Sequence, residues 1–399
     1  MIPYGRQSIS DEDVAAVVAV LRSDFLTQGP QVPAFEAAVA ATVGASHALA
    51  VNSATSALHI ACMALDLGPG DVLWTVPNTF VASANCALYC GAAVDFVDID
   101  PVSYTMCPNA LAAKLQTAAK LPRVIVPVHL CGQSADMAAI HALTAPLGIR
   151  VIEDASHAIG ATYQGLPVGD CRHSDITVFS FHPVKIITTA EGGMCTTNDA
   201  ALALKMDLAR SHGITRDPAL MTHAPDGPWY YQMITLGYNY RMTELQAALG
   251  LAQMARLTQM VARRQELAAR YDRLLADLPL MRPAQAPDTA SSWHLYVIRL
   301  LARSHTPSHA PSHAPSHAQV FARLRDAGIG VNLHYIPVHL QPYYRAMGFH
   351  PGQFPASEAY YASAISIPLY YGLTDADQDR VVDAIKSALG AALAEDAAQ

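Results

Sequence analysis

Val151-Ile152-Glu153-Asp154-Ala155-Ser156-His157 and Ile176-Thr177-Val178-Phe179-Ser180-Phe181-His182-Pro183-Val184-Lys185 set out one pattern twice. A short apolar run reads as a buried strand, and polar chemistry begins where it ends. The same arrangement recurs upstream. Residues 48–51 precede Asn52-Ser53-Ala54-Thr55-Ser56, and residues 73–76 precede Pro77-Asn78-Thr79-Phe80. Residues 94–97 and 124–128 are further short apolar runs. Helical patterns separate them. Ser10 opens the first, with Asp13 three residues on as a capping box and Val14, Val17, Val18 and Leu21 on one face. Others follow over 32–43, from 56 through 64, and up to Cys90. Strands alternating with helices of this length predict an α/β fold, a mainly parallel mixed sheet with helices on both faces. Ligands of such sheets sit beyond the carboxyl ends of the strands, where the polar residues fall.

Past Thr243 the pattern changes. Residues 243–278 read as long and helical, with Leu245, Ala248, Leu249 and Ala252 on one face. A strand is expected over 293–300, with helices over 319–327 and 374–393. These describe a smaller α+β unit, so the chain divides into a large domain, 1–245, and a small C-terminal domain, 246–399. Within the latter, 304–318 repeats Ser-His-Ala-Pro. Histidines four apart would line up on a helix, but a proline in every repeat forbids that helix. An exposed loop is expected rather than a metal tract.

The 399 residues are 52% hydrophobic and 15% charged, which excludes a disordered or coiled-coil chain. A net charge of -8 argues against nucleic acid. No signal segment opens the sequence, and no apolar run approaches the roughly 20 residues of a membrane span. Seven scattered cysteines suit reduced thiols in the cytoplasm. Cys86 and Cys90 read as core residues, and no metal site is expected.

Four segments carry chemistry together: 52–56, 154–157, 180–185 and Asn239-Tyr240-Arg241. Taken alone, Lys185 is a loop lysine. It nevertheless follows an apolar strand and a proline and precedes Ile186-Ile187, a poorly hydrated setting in which an amine loses its proton more easily. Asp154 could be a plain helix cap. A carboxylate paired with a lysine is also what keeps a pyridine ring protonated as an electron sink. Ala54, Thr55 and Ser56 start a helix, where free amides and the dipole favour a phosphate, and Ser180 adds a hydroxyl. Phe80 is placed to cover a ring, or simply to fill core. His157 borders the same place. Glu191-Gly192-Gly193 gives a turn where backbone can come close to a ligand.

Together with Thr188-Thr189-Ala190 and the run 237–244, Gly-Tyr-Asn-Tyr-Arg-Met-Thr-Glu, these segments resemble the sugar aminotransferases of the DegT/DnrJ/EryC1/StrS family. The likeness runs from about Tyr4 to Pro368. It implies the fold of type I pyridoxal-phosphate enzymes, with pyridoxal 5'-phosphate as cofactor. By position, Lys185 is the lysine that bonds the cofactor and moves protons, and Asp154 the partner of its ring nitrogen. Ala54, Thr55 and Ser180 meet the phosphate, and Phe80 and His157 flank the ring. Asn239 reaches the phosphate of a neighbouring subunit, which implies a homodimer. Tyr4, Leu26, Thr27, His334 and Tyr335 match regions that touch a nucleotide sugar. Leu26-Thr27-Gln28-Gly29 and the 52–58, 154–158 and 179–185 stretches are most similar to the branch that makes pseudaminic acid, in which L-glutamate aminates C4 of a UDP-linked 4-keto-6-deoxy-N-acetylhexosamine. Ala190 stands where many relatives have glycine, and a methyl is tolerable there if the backbone angle is ordinary.

Three rivals remain. A sugar dehydratase of the same family would have histidine in place of Lys185. A nicotinamide enzyme would show a G-x-G-x-x-G turn, and 52–56 contains no glycine. A silent cofactor-binding regulator would not respond to glutamate.

Overall fold

The structure, a computed structural model, describes residues 1–301 and 315–395. Seven strands form the main sheet: β1 (His47–Val51), β2 (Val72–Thr75), β3 (Ala93–Phe96), β4 (Val124–Val126), β5 (Arg150–Asp154), β6 (Ile176–Ser180) and β7 (Gly193–Thr197). Their spatial order is β1-β7-β6-β5-β4-β2-β3. The pairings β2–β3, β2–β4, β4–β5 and β5–β6 are parallel, while β7 runs antiparallel to both its neighbours.

Helices cover both faces, which is why β1 to β6 read as mostly apolar runs rather than as strict alternation. Leu73 and Val124 point into a cluster with α3 (Ala54–Ala64) and α4 (Ala82–Tyr89), the third and fourth helices after α1 (Asp11–Leu21) and α2 (Gln31–Val43). Trp74 and Ile125, one residue on, point to the opposite face. The capping box at Ser10 forms as expected, Asp13 N–H donating to Ser10 Oγ and Ser10 N–H to the Asp13 carboxylate.

The expected long helix after Thr243 is two, Glu244–Met254 and Leu257–Leu274. The break coincides with Gln253 and Arg256 turning their side chains to the buried Asp13 carboxylate. The first half of Leu257–Leu274 packs with α2 against the main sheet. Its second half packs on a three-stranded sheet built from Leu280–Met281, Tyr296–Leu300 and Ala364–Ile367. Ile2, at the chain's start, belongs to that second cluster.

Most of the Ser-His-Ala-Pro tract lies outside the described residues. Its end corrects the expected loop, because Ser316 caps a helix, His317–Asp326, through a capping box with Gln319. The expected strand over 293–300 begins only at Tyr296, since Trp293 takes a left-handed φ of 52° and turns the chain.

Candidate active site

Register brings the chemistry together. Asp154 closes β5 opposite Val178 of β6, and Ser180 closes β6 opposite Gly193. The same Gly193 faces Val51, the last residue of β1. The ends of β1, β5 and β6 therefore meet at the start of β7. Between β6 and β7 the chain turns, Lys185 N–H donating to the His182 carbonyl at 2.9 Å. Two residues past β1, Ser53 caps α3 by accepting from Ser56 N–H at 3.1 Å. A Cβ on Gly193 would lie 2.6 Å from the Ser53 carbonyl carbon and 2.7 Å from Ala54 N. Glycine here lets the strand touch the mouth of α3, so the close approach is to the protein's own helix terminus. Ala190 has φ 66°, so its backbone angle is not ordinary and its methyl is strained.

A cavity of about 600 Å³ opens at this convergence. Lys185, Asp154, His157 and Ser180 line it from the strand ends, and Ala54, Thr55 and Phe80 from the helix starts. Tyr4, His334 and Tyr335 close it from the N-terminus and from the segment after Asn332, which bridges Ser366 of the small sheet. Phe80 is exposed, its ring centroid 6.1 Å from that of Tyr335, so it is not core filling. Three expected residues stand apart. Leu26, Thr27 and Asn239 are exposed and outside the cavity of their own chain. The carbonyl of Leu26 accepts from Glu244 N–H, and that of Asn239 from the Asn52 side chain.

Protein atoms crowd Lys185, and this desolvation lowers its ammonium pKa from 10.5 to about 8, against the pull of Asp154 and Cys131. The other lysines are engaged: Lys114 with Asp95, Lys205 with Asp66, Lys386 with Asp383 and Lys120 with the Gly70 carbonyl. Among the described residues no polar group of the protein holds the Lys185 amine. Burial, and then Lys185, push His157 well below the usual imidazole range, so it is neutral. Cys131 N–H donates to its Nδ1 at 3.2 Å, which puts the ring proton on Nε2, 3.2 Å from Tyr335 Oη. Burial holds His334 at about 3, while burial and then the neighbouring His157 hold His294 far down. One amine that can ionise thus sits among neutral imidazoles.

Sequence reading missed several residues here. His294 lines the cavity, with its Nδ1 buried and without a partner. Asn332 and Leu333 also line it, beside His182 and Glu191 of segments the sequence had already singled out. Ser83, fully buried in α4, donates to Asp154 Oδ2 at 2.6 Å. Thr79 and Ser83 are four apart at a helix start, a spacing legible in the sequence once Asp154 is placed.

Chemically, the cavity offers an unpartnered amine, a carboxylate and a helix N-terminus beside a serine hydroxyl. That donor set fits an aldehyde, a ring nitrogen and a phosphate on one molecule, as in pyridoxal phosphate. Among the described residues no group of three His, Cys, Asp or Glu side chains is arranged to hold a metal ion.

Known proteins resemble this chain over nearly its whole length. The model of the DegT/DnrJ/EryC1/StrS aminotransferase family matches residues 7–386. The spore coat polysaccharide biosynthesis protein SpsC of Bacillus subtilis is 39% identical over 388 residues, 96% of each chain. Helicobacter pylori PseC, an aminotransferase involved in the biosynthesis of pseudoaminic acid, superposes with a TM-score of 0.88 at 30% identity, covering 98% of this chain and 99% of PseC. Spr1654 of Streptococcus pneumoniae, solved in its PLP-form, gives 0.87 at 28% identity, covering 98% of this chain and 99% of its own. The chain belongs to the DegT/DnrJ/EryC1/StrS aminotransferase family, and its fold is that of type I pyridoxal-phosphate enzymes.

Proposed function

We propose that this protein moves an amino group from L-glutamate to C4 of a UDP-linked 4-keto-6-deoxy-N-acetylhexosamine, with pyridoxal phosphate as cofactor. The observation that carries the reading is Lys185 and Asp154 lining one cavity, the amine without a partner and the carboxylate at a strand end. Bound pyridoxal phosphate supplies the electron sink for the carbanion formed when a substrate loses its proton. The protein does the rest. Lys185 would hold the cofactor through its amine and, when free, would take and return the proton at the reacting carbon. Asp154 keeps the ring nitrogen protonated. The amides of Ala54 and Thr55 and the Ser180 hydroxyl take the phosphate. Phe80 and the neutral His157 border the ring, and His157 Nε2–H, fixed by Cys131, is a donor rather than a second base. Tyr4, His334 and Tyr335 face the sugar.

The likeness to PseC, an aminotransferase of pseudoaminic acid biosynthesis, supports this keto-sugar substrate. The 39% identity to SpsC supports a second reading, amination of another nucleotide-linked keto sugar. A panel of UDP-, dTDP- and GDP-linked keto sugars offered with glutamate, the products read by mass and NMR, separates the two. Amination of the UDP-N-acetyl sugar at C4 supports the first, and reaction with only a dTDP- or GDP-sugar rejects it.

The working unit in this proposal is a homodimer. Asn239 is exposed outside its own cavity, and the stretch before it leaves Trp229, Met233 and Leu236 each more than half exposed. A second copy would cover those side chains and receive Asn239 at its phosphate site. The seven cysteines are unpaired, which suits a cytoplasmic enzyme.

A further inference from the structure

The carboxylate of Asp154 is engaged on both oxygens by the protein itself. Ser156 N–H donates to Oδ1 at 3.1 Å, and Ser83 shares a 2.6 Å hydrogen bond with Oδ2. An ionised carboxylate has no proton to give, so Ser83 is the donor. Its single hydroxyl proton is then used. Thr79 Oγ1, 2.8 Å from Ser83 Oγ, must donate to it. The direction of the chain is fixed: Thr79 O–H to Ser83 Oγ, Ser83 O–H to Asp154. All three side chains are buried, and Thr79 lines the cavity whereas Ser83 stands behind it. Helix α4, whose entry carries Phe80 at the cavity, is thus bonded to the end of β5 by a directed relay.

We propose that Ser83 is a positioning residue for amino transfer, its hydroxyl, oriented by Thr79, holding the Asp154 carboxylate in place to face the ring nitrogen of the cofactor. The proposal rests on the assignment of Asp154 to that nitrogen. A hydroxyl bonded to a carboxylate oxygen fixes its orientation, and a buried oxygen that loses its donor is left unsatisfied. Without Ser83 Oγ the carboxylate can turn away from the ring nitrogen, and the hydrogen bond that keeps that nitrogen protonated weakens. The ring then draws electrons less strongly, and proton removal by Lys185 slows.

The test uses the full chain loaded with pyridoxal phosphate carrying 15N in its ring, as wild type and as Ser83→Ala, Ser83→Thr, Thr79→Val and Asp154→Asn. In Ser83→Ala the 15N shift is expected to move toward the unprotonated ring value. With it kcat should fall about tenfold while the glutamate KM changes by less than about twofold, the size of one charge-assisted hydrogen bond. Ser83→Thr, which keeps a hydroxyl, should restore both readouts. Thr79→Val should move them the same way by less. A merely structural Ser83 would lower the melting temperature and leave the 15N shift in place. If Ser83→Ala keeps the wild-type shift and kcat while Asp154→Asn loses both, the relay is overturned and the Asp154 assignment stands. If Asp154→Asn also leaves both unchanged, the assignment itself has failed and takes the relay with it.

Discussion

An amine with a pKa near 8 does different work from one at 10.5. At pH 7 about a tenth of it is already neutral, against well under a thousandth for an ordinary lysine. In the apoprotein, Lys185 should therefore react with an amine-directed reagent along a curve centred near pH 8, separable by peptide mapping from the other lysines. A midpoint above pH 10 would remove the desolvation argument. The same shift has a sign for stability. Between about 8 and 10.5 the unfolded chain holds a proton that the folded site has lost, so the Lys185 contribution to stability rises with pH through that window. Lys185→Ala should reduce turnover at least about a hundredfold, the lower bound for a positioned acid–base group. Ala190, at φ 66°, invites the opposite kind of change. Ala190→Gly should stabilise the protein by about 1 kcal/mol, read by denaturant titration, because glycine bears no Cβ penalty in the left-handed region. At this scale the sequence showed which residue types stood at the strand ends. It could not show φ at Ala190, the burial of Ser83 or the tautomer of His157, since each depends on chain neighbours far away in sequence.

Strands β1 to β6 could be read directly, because each is a short apolar run closed by polar residues and both faces are covered. β7 could not. Gly-Met-Cys-Thr-Thr lacks an apolar pattern, yet every residue is buried, with the Thr196 hydroxyl donating to the Gly169 carbonyl at 3.0 Å and that of Thr197 to the Asp175 carbonyl at 2.7 Å. Hydrogen-bonded threonine is cheap to bury, and hydropathy alone does not register that. The break at Ala255-Arg256 was hidden for a related reason. The helical periodicity continues across it, while the competing partner, Asp13, lies some 240 residues earlier. The contact of β7 with α3 gives a prediction at this scale. Gly193→Ala should force the Ser53-Ala54 backbone away, costing about 1–3 kcal/mol as overpacking. It should also weaken cofactor binding, measured by equilibrium dialysis. Unchanged affinity would mean that the start of α3 does not hold the phosphate.

A single chain contains a cavity but leaves Asn239 and the aromatic stretch before it unmatched, and these set the prediction for the whole molecule. Lys185→Ala and Asn239→Ala proteins, each impaired alone, should recover activity when unfolded together and refolded as mixed dimers. One site in each mixed dimer then has both residues, so random pairing gives about a quarter of wild-type activity. No recovery, with mixed dimers shown to form, would place Asn239 outside the neighbouring site. The fold class was legible at this scale, and three of the four chemical segments, 52–56, 154–157 and 180–185, line one cavity while 239–241 does not, whereas the missed His294 and Asn332 come from segments with no motif of their own. The most direct measurement concerns the amine itself. The protein is incubated with pyridoxal phosphate, reduced with borohydride, digested and mapped by mass spectrometry. The pyridoxyl group is expected on Lys185 and should be absent from Lys185→Ala protein. A label on Lys114, Lys120, Lys205 or Lys386 instead, or equal labelling of the variant, would contradict the assignment of this cavity as the place where amino transfer occurs.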